Sequence, residues 1–250
     1  MARRGIVYAC SSERWFPEVL VSVESARHHM PDLSRHLFLT RDLNAKVASQ
    51  LKGLFTDVVV LDHAEHDHRP RFEAALRAEV DEGIYIDGDT LFLAPVYELF
   101  DILGPFDIGL AAAPQYISPL AMRMGVIDRL PKTPIAIPEW NGGLMVARAD
   151  DGFRKFLADW MALFADCMKM GLRLDQPALR VALVRSGLRI ATLPNNYNFR
   201  ALVPQNVAGM VKILHAHGEL KRIGATINAS QGMRLFVPKP DDLHGYHPPQ

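Results

Sequence analysis

The chain has 250 residues, 49% of them hydrophobic and 22% charged, the makeup of a folded protein with a core large enough for one α/β domain. Its 28 basic and 28 acidic residues cancel, so no global field draws it to nucleic acid or to an anionic membrane. The cysteines Cys10 and Cys167 give neither metal-ligand spacing nor a disulfide framework, and the apolar run after the basic start is too short for a signal core or a transmembrane segment; the cytoplasm is the expected compartment.

In chain order the pattern alternates strand and helix. Residues 5–10 (GIVYAC) read as a buried strand that runs into the polar turn Ser11-Ser12-Glu13. Apolar residues then recur at helical spacing (Phe16, Val19, Leu20, Val23) until Pro31 closes the helix. A strand over 36–40 follows, then a helix from Asp42 to about residue 52 and a third strand over 58–61. Such alternation implies right-handed crossovers and a mostly parallel sheet flanked by helices, in which ligands bind beyond the carboxyl ends of the strands. No GxGxxG follows the first strand and no GxxxxGK[ST] occurs, which disfavours the common dinucleotide and phosphate loops. His63, His66 and His68 crowd the next loop without a spacing that fixes a ligand geometry, so a solvated loop is the plainer reading. In the helix predicted over 72–80 and its approach, Arg69, Arg71 and Arg77 precede an acidic strand end, where any of them could face a diphosphate; a salt-bridged surface serves equally for Arg77.

Residues 83–95, GIYIDGDTLFLAP, organise the rest. Ile84-Tyr85-Ile86 is a buried strand ending in Asp87 and Asp89 with Gly88 between them, and a second apolar run, 91–93, stops at Pro95. Side chains at i and i+2 leave a strand on one side, so both carboxylates can converge on one hard cation, the natural partner for acids that would otherwise lose hydration unpaired. Gly88 adds no bulk and leaves room for a ligand. A lone Asp-x-Asp is often only an acidic turn; the apolar frames on both sides favour the metal.

After a short helix (96–103) and a strand (107–113), residues 114–138 carry five prolines and little periodicity, a long loop expected to lie over the site. Asn141-Gly142-Gly143 opens a strand whose glycines suggest close approach of the backbone to a ligand, although a plain turn also uses Asn-Gly. Asp150 and Asp151 cap a helix over 153–170 with a core stripe of Phe156, Leu157, Trp160, Leu163 and Phe164. Asp175-Gln176-Pro177 opens another, with Asp175 either a cap or a cleft residue. Strands over 190–193 and 212–215 follow, the latter ending in His215-Ala216-His217-Gly218-Glu219-Leu220-Lys221, and the tail from about residue 238 reads as flexible.

From residue 5 to about 223 this ordered set resembles the GT-A fold nucleotide-diphospho-sugar glycosyltransferases, specifically glycosyltransferase family eight, which includes glycogenin and the lipopolysaccharide galactosyltransferases. Asp87-Gly88-Asp89 stands at the family's DxD motif, Asn141-Gly142-Gly143 at its Asn-x-Gly, Asp175-Gln176 at its Asp-Gln and Pro194 to Asn198 at its Pro…Tyr-Asn turn. His215, Gly218 and Lys221 match its HxxGxxK, although Arg222-Ile223 follows where the family has Pro-Trp.

The resemblance implies a single 1–250 glycosyltransferase domain that moves a hexose from a nucleotide-diphosphate sugar, most simply a UDP-sugar, to a saccharide, lipid-linked saccharide or protein acceptor, with retention of configuration. It implies Mn2+ (or Mg2+) on Asp87, Asp89 and His215. It also implies Ala9 and Ser11 under base and ribose, Gly88, Gly218 and Lys221 near the phosphates, and Asn141, Asp175 and Gln176 around the donor sugar. Two rivals stand beside it. Asp87-Gly88-Asp89-Thr90 also fits the start of a haloacid-dehalogenase-like phosphatase with Asp87 as nucleophile, and a sugar-nucleotide binding module without turnover would keep the same residues.

Overall fold

A computed structural model describes residues 2–64, 69–218 and 220–239. Helices α1 (Phe16–His29) and α2 (Arg41–Val47) alternate with strands β1 (Arg4–Cys10), β2 (Ser34–Thr40) and β3 (Asp57–Leu61). Helix α3 (Pro70–Arg77) leads into β4 (Glu82–Ile86), which is followed by β5 (Thr90–Phe92) and β6 (Ile108–Ala112). Short helices α4 (Pro119–Arg123) and α5 (Val126–Arg129) precede β7 (Trp140–Arg148), α6 (Asp151–Lys169), α7 (Gln176–Ser186) and β8 (Ile190–Leu193). The chain then runs through β9 (Phe199–Arg200), β10 (Gln205–Val207), β11 (Ile213–His215), α8 (Leu220–Ile227) and β12 (Arg234–Phe236).

Seven strands form the central sheet in the order β3-β2-β1-β4-β7-β6-β8. Every neighbouring pair is parallel except those made by β7, which runs against both β4 and β6. Each face is covered by its own apolar layer. On one side α6 contributes Phe153, Phe156, Leu157 and Trp160, each 1% exposed, and each such burial stabilises by about 1.5–3 kcal/mol. On the other side α1 packs Phe16, Val19 and Val23 against Ile84, Ile86 and Leu144.

Two departures from the sequence expectation have local causes. The proline-rich stretch 114–138 holds two helices: Pro119 sits in the first turn of α4, and the Ser118 hydroxyl accepts from the Ala121 N–H at 3.3 Å. The helix expected over 72–80 starts earlier, because Pro70 suits a first turn where its missing N–H costs nothing, and it ends where Ala78 turns extended. The loop histidines His66 and His68, and the tail from residue 240, lie outside the described residues.

The topology brings distant segments to one place. Because β7 is antiparallel to β4, Asn141, Gly142 and Gly143 at its amino end meet the carboxyl end of β4, and the Asp87 N–H donates to Gly143 O at 2.9 Å. A three-stranded sheet, β5-β11-β9, pairs His215 with Thr90, and the Ala216 N–H reaches Asp89 O at 2.9 Å. The acidic pair is thereby clamped between the two sheets.

Candidate active site

Asp87, Asp89 and His215 converge: one oxygen of each carboxylate and one ring nitrogen lie within 4.8 Å of one another. His215 and Asp89 are 1% and 8% exposed, while the Asp87 side chain keeps 36% of its surface open. Burial, with the neighbouring Asp89, pushes the Asp87 carboxyl up against the pull of Arg71. Burial would raise Asp89 too, but the pull of His215, His217 and Arg200 outweighs it and holds that carboxyl below the ordinary range. Two carboxylates forced together beside an imidazole fit a divalent cation, since oxygens with one nitrogen form a mixed donor set and like charges at short range call for a counter-ion.

A chain of hydrogen bonds fixes which nitrogen of His215 is offered. The Gly143 N–H can only donate, and it reaches Asn141 Oδ1 at 2.8 Å. That oxygen also accepts from Asn198 Nδ2 at 3.1 Å, which orients the Asn198 amide so that its Oδ1 faces His215 Nδ1 at 2.7 Å. Nδ1 therefore carries a proton, and Nε2 faces Asp89 Oδ2 at 3.2 Å. A Cβ at Gly143 would lie 2.2 Å from His215 Cε1, so the second glycine of Asn-Gly-Gly is the floor under the imidazole. Gly88 has a packing role as well: a Cβ there would lie 2.4 Å from Val19 Cγ2, so its bareness lets α1 pack against the acidic turn.

Arg71 is the cation that the sequence left unassigned among three. Its Nη1 donates to Asp175 Oδ2 at 2.5 Å, and its Nη2 to Asp87 Oδ1 at 3.0 Å and Gly142 O at 3.1 Å, with the guanidinium 5.2 Å above the Trp160 ring. Asp175 thus spends its carboxylate on Arg71 and makes no side-chain cap on α7. Arg77 instead pairs with Glu73 at 3.3 Å, and His63 also meets Glu73, at 2.5 Å.

Ala9, Ser11, Asp87, Gly88 and Asp89 share a cleft of about 170 Å³ with Trp15 and His217. Ser12, 3% exposed, lines it with a hydroxyl that has no partner among the described residues. The sequence register makes His215 the ligand and leaves His217 behind it or on the surface, with no partner legible: in the structure its Nδ1 meets Glu18 Oε2 at 3.0 Å, its Nε2 lies 3.4 Å from Asp89 Oδ2, and its ring sits 4.4 Å from that of Trp15. Glu18 also accepts from the Gly218 N–H at 2.8 Å, where the backbone is left-handed (φ +83°). Lys221 lies exposed in the first turn of α8 and does not line the cleft. Asn141 and Gln176 line a neighbouring groove of about 220 Å³ with Arg123 and Arg200.

Glu139, 1% exposed, sits behind the 114–138 segment. Its Oε2 accepts from the Ser118 N–H at 3.0 Å, its Oε1 has no partner among the described residues, and burial pushes its carboxyl up to about 7.

No protein-family model matches the sequence, and no curated protein matches it. Solved structures do match. The galactosyltransferase LgtC, in complex with donor and acceptor sugar analogues, aligns with a TM-score of 0.60 over 96% of this chain and 99% of its own, at 15% identity. The fold is GT-A. The glycosyltransferase GlyE of Streptococcus pneumoniae TIGR4 gives 0.60 over 88% of this chain and 55% of its own, at 14% identity. Mouse xyloside xylosyltransferase 1, in its apo form, gives 0.57 over 86% and 97%, also at 14%. Within this GT-A frame Asp87 directly follows β4, the fourth strand in chain order, whereas the phosphatase motif ends the first strand of its domain. Among the described residues no helix is long and apolar enough to cross a membrane.

Proposed function

We propose that this chain is a metal-dependent glycosyltransferase that moves a hexose from a nucleotide-diphosphate sugar, a UDP-sugar, to an acceptor hydroxyl with retention of configuration. The observation that carries the reading is the convergence of Asp87, Asp89 and His215 at the carboxyl edge of a GT-A sheet. All of the solved structures matched above are glycosyltransferases, and the motif order from Asp87 to Lys221 supports the same class.

Asp87, Asp89 and Nε2 of His215 would hold the ion, manganese before magnesium because of the imidazole. When bound, such an ion neutralises the charge that grows on the departing diphosphate. The chain's own residues do the rest. Asn198 and Asn141 keep the His215 ring in the orientation that offers Nε2. Arg71 holds Asp175 and Asp87 at fixed separation, which positions the carboxylate of Asp175 and, next to it in sequence, the amide of Gln176 for the donor sugar. The cleft lined by Ala9, Ser11 and Ser12 takes base and ribose. Lys221 supplies a point charge to the phosphates once its side chain turns inward. Retention here needs no covalent nucleophile: the leaving phosphate takes the proton of an acceptor that attacks on the same face.

The test is incubation with a panel of UDP-hexoses and manganese. Water replaces an absent acceptor, so slow release of UDP and free hexose is expected, with no cleavage of p-nitrophenyl phosphate and no release by Asp89→Ala. Cleavage of p-nitrophenyl phosphate through an aspartyl-phosphate on Asp87 would replace this reading with the phosphatase one. Metal-dependent UDP binding without any release would leave the binding module instead.

A further inference from the structure

Arg200 is bonded in an unusual way for a buried-edge arginine. Its Nη1 donates to His215 Nε2 at 2.9 Å, and among the described residues no carboxylate lies within ion-pair distance of its guanidinium. The two residues face each other across the parallel pair β9 and β11, in register, so the contact is built into the small sheet. The hydrogen bonds through Asn198 and Asn141 leave Nε2 as the acceptor nitrogen, and it is the acceptor that Arg200 has taken. A nitrogen lone pair binds one partner at a time. The atom that a metal needs is therefore already engaged by a cation of the protein itself, positioned where its charge also reaches Asp89.

We propose that Arg200 is an internal competitor for the metal site: its guanidinium holds His215 Nε2 and counters Asp89 when no ion is present, and loading requires it to turn away. The inference rests on the metal reading given above. The groove of about 220 Å³ beside Asn141 and Gln176, which Arg200 also lines, gives the side chain somewhere to turn. Arg123 lines the same groove without a hydrogen bond to His215, and among the described residues no acidic side chain lines it. Loading would thus move a positive charge from the metal site into the groove next to the donor-sugar residues. Two costs oppose the ion in the wild-type chain, the lost Arg200 hydrogen bond and the repulsion of a nearby guanidinium, and both vanish when Arg200 is replaced by a neutral side chain.

The test is calorimetric titration of Mn2+ into metal-free protein at one pH and ionic strength, for wild type, Arg200→Met and Arg123→Met. Arg200→Met is expected to bind at least tenfold more tightly than wild type, and Arg123→Met within twofold of it. An Arg200→Met affinity equal to or weaker than wild type overturns the proposal while leaving the metal site standing. An equal gain in Arg123→Met also overturns it, since the effect would then be the general field of the groove. If no protein in the series binds Mn2+, the metal reading falls with it. Thermal melts of the metal-free proteins verify folding; should Arg200→Met not fold, Arg200→Gln gives the same comparison, with the same tightening expected and the same outcomes against it.

Discussion

Nδ1 of His215 donates to Oδ1 of Asn198 across 2.7 Å, and that bond decides which face of the imidazole meets the carboxylates. Asn198 is 2% exposed and is itself oriented by Asn141, so the ring is held by two amides that never need to touch an ion. Such outer partners commonly tune metal affinity 10–100-fold.

Asn198→Ala removes the restraint while keeping Asp87, Asp89 and His215. Mn2+ affinity should fall by roughly tenfold or more by the outer-partner argument, with a stability loss of about 1–3 kcal/mol for the unpaired buried groups. Calorimetry and thermal melts read the two effects separately. An unchanged affinity would show that His215 needs no help from Asn198.

Gly143→Ala probes the floor of the site. The new methyl would lie 2.2 Å from Cε1 and 2.8 Å from Nδ1 of His215, a clash that only movement of the ring or of β7 relieves. Overpacking of this kind costs about 1–3 kcal/mol. Metal affinity should drop with it, whereas Gly53→Ala, at a turn far from any neighbouring atom, should leave affinity alone. Equal affinities in the two variants would remove the steric role assigned to Gly143.

Arg71→Lys keeps the charge and discards the fork. One ammonium cannot hold Asp87, Asp175 and Gly142 O in the geometry the guanidinium gives them. UDP-hexose hydrolysis should fall at least tenfold, with a smaller change in UDP affinity, because donor-sugar positioning is what the fork controls. A variant with wild-type turnover would reduce Arg71 to a structural ion pair.

Glu139 makes stability depend on pH. Its folded carboxyl titrates near 7 against 4.5 for the free side chain, so the folded state binds the proton more tightly than the unfolded one. The contribution is fully present below about 4.5 and is lost as pH rises through 7. Glu139→Gln should therefore match wild type at pH 4 and exceed it at pH 8. At about 1.4 kcal/mol per unit, the gap is up to about 3 kcal/mol. Denaturant melts across pH check this; a gap that stays constant with pH contradicts it.

Much of this arrangement was legible in the sequence, and the reason differs by residue. Asp87 and Asp89 stood out because apolar strands frame them and their spacing puts both on one side. Asn141 stood out as a motif, but its side chain acts on Asn198, 57 positions away, and no local pattern encodes that pairing. The same holds for His217, whose carboxylate partner Glu18 lies 199 positions earlier on α1. Arg71 was one of three arginines before the acids, and only the packing of α3 on β1, β2 and α6 turns it toward Asp87 and Asp175, since helix facing depends on where a helix begins. The packing role of Gly88 could not be read from its neighbours in sequence, because the side chain it makes way for, Val19, belongs to α1.

The central claim is that Asp87, Asp89 and His215 hold the cation through which a nucleoside diphosphate is bound. Calorimetric titration of UDP into wild type, Asp87→Ala, Asp89→Ala and His215→Ala, each with and without Mn2+, tests it most directly. The account predicts that manganese strengthens UDP binding in wild type by at least tenfold and in none of the three variants, with all four proteins melting as folded chains. UDP binding that is indifferent to manganese in wild type and variants alike would contradict it.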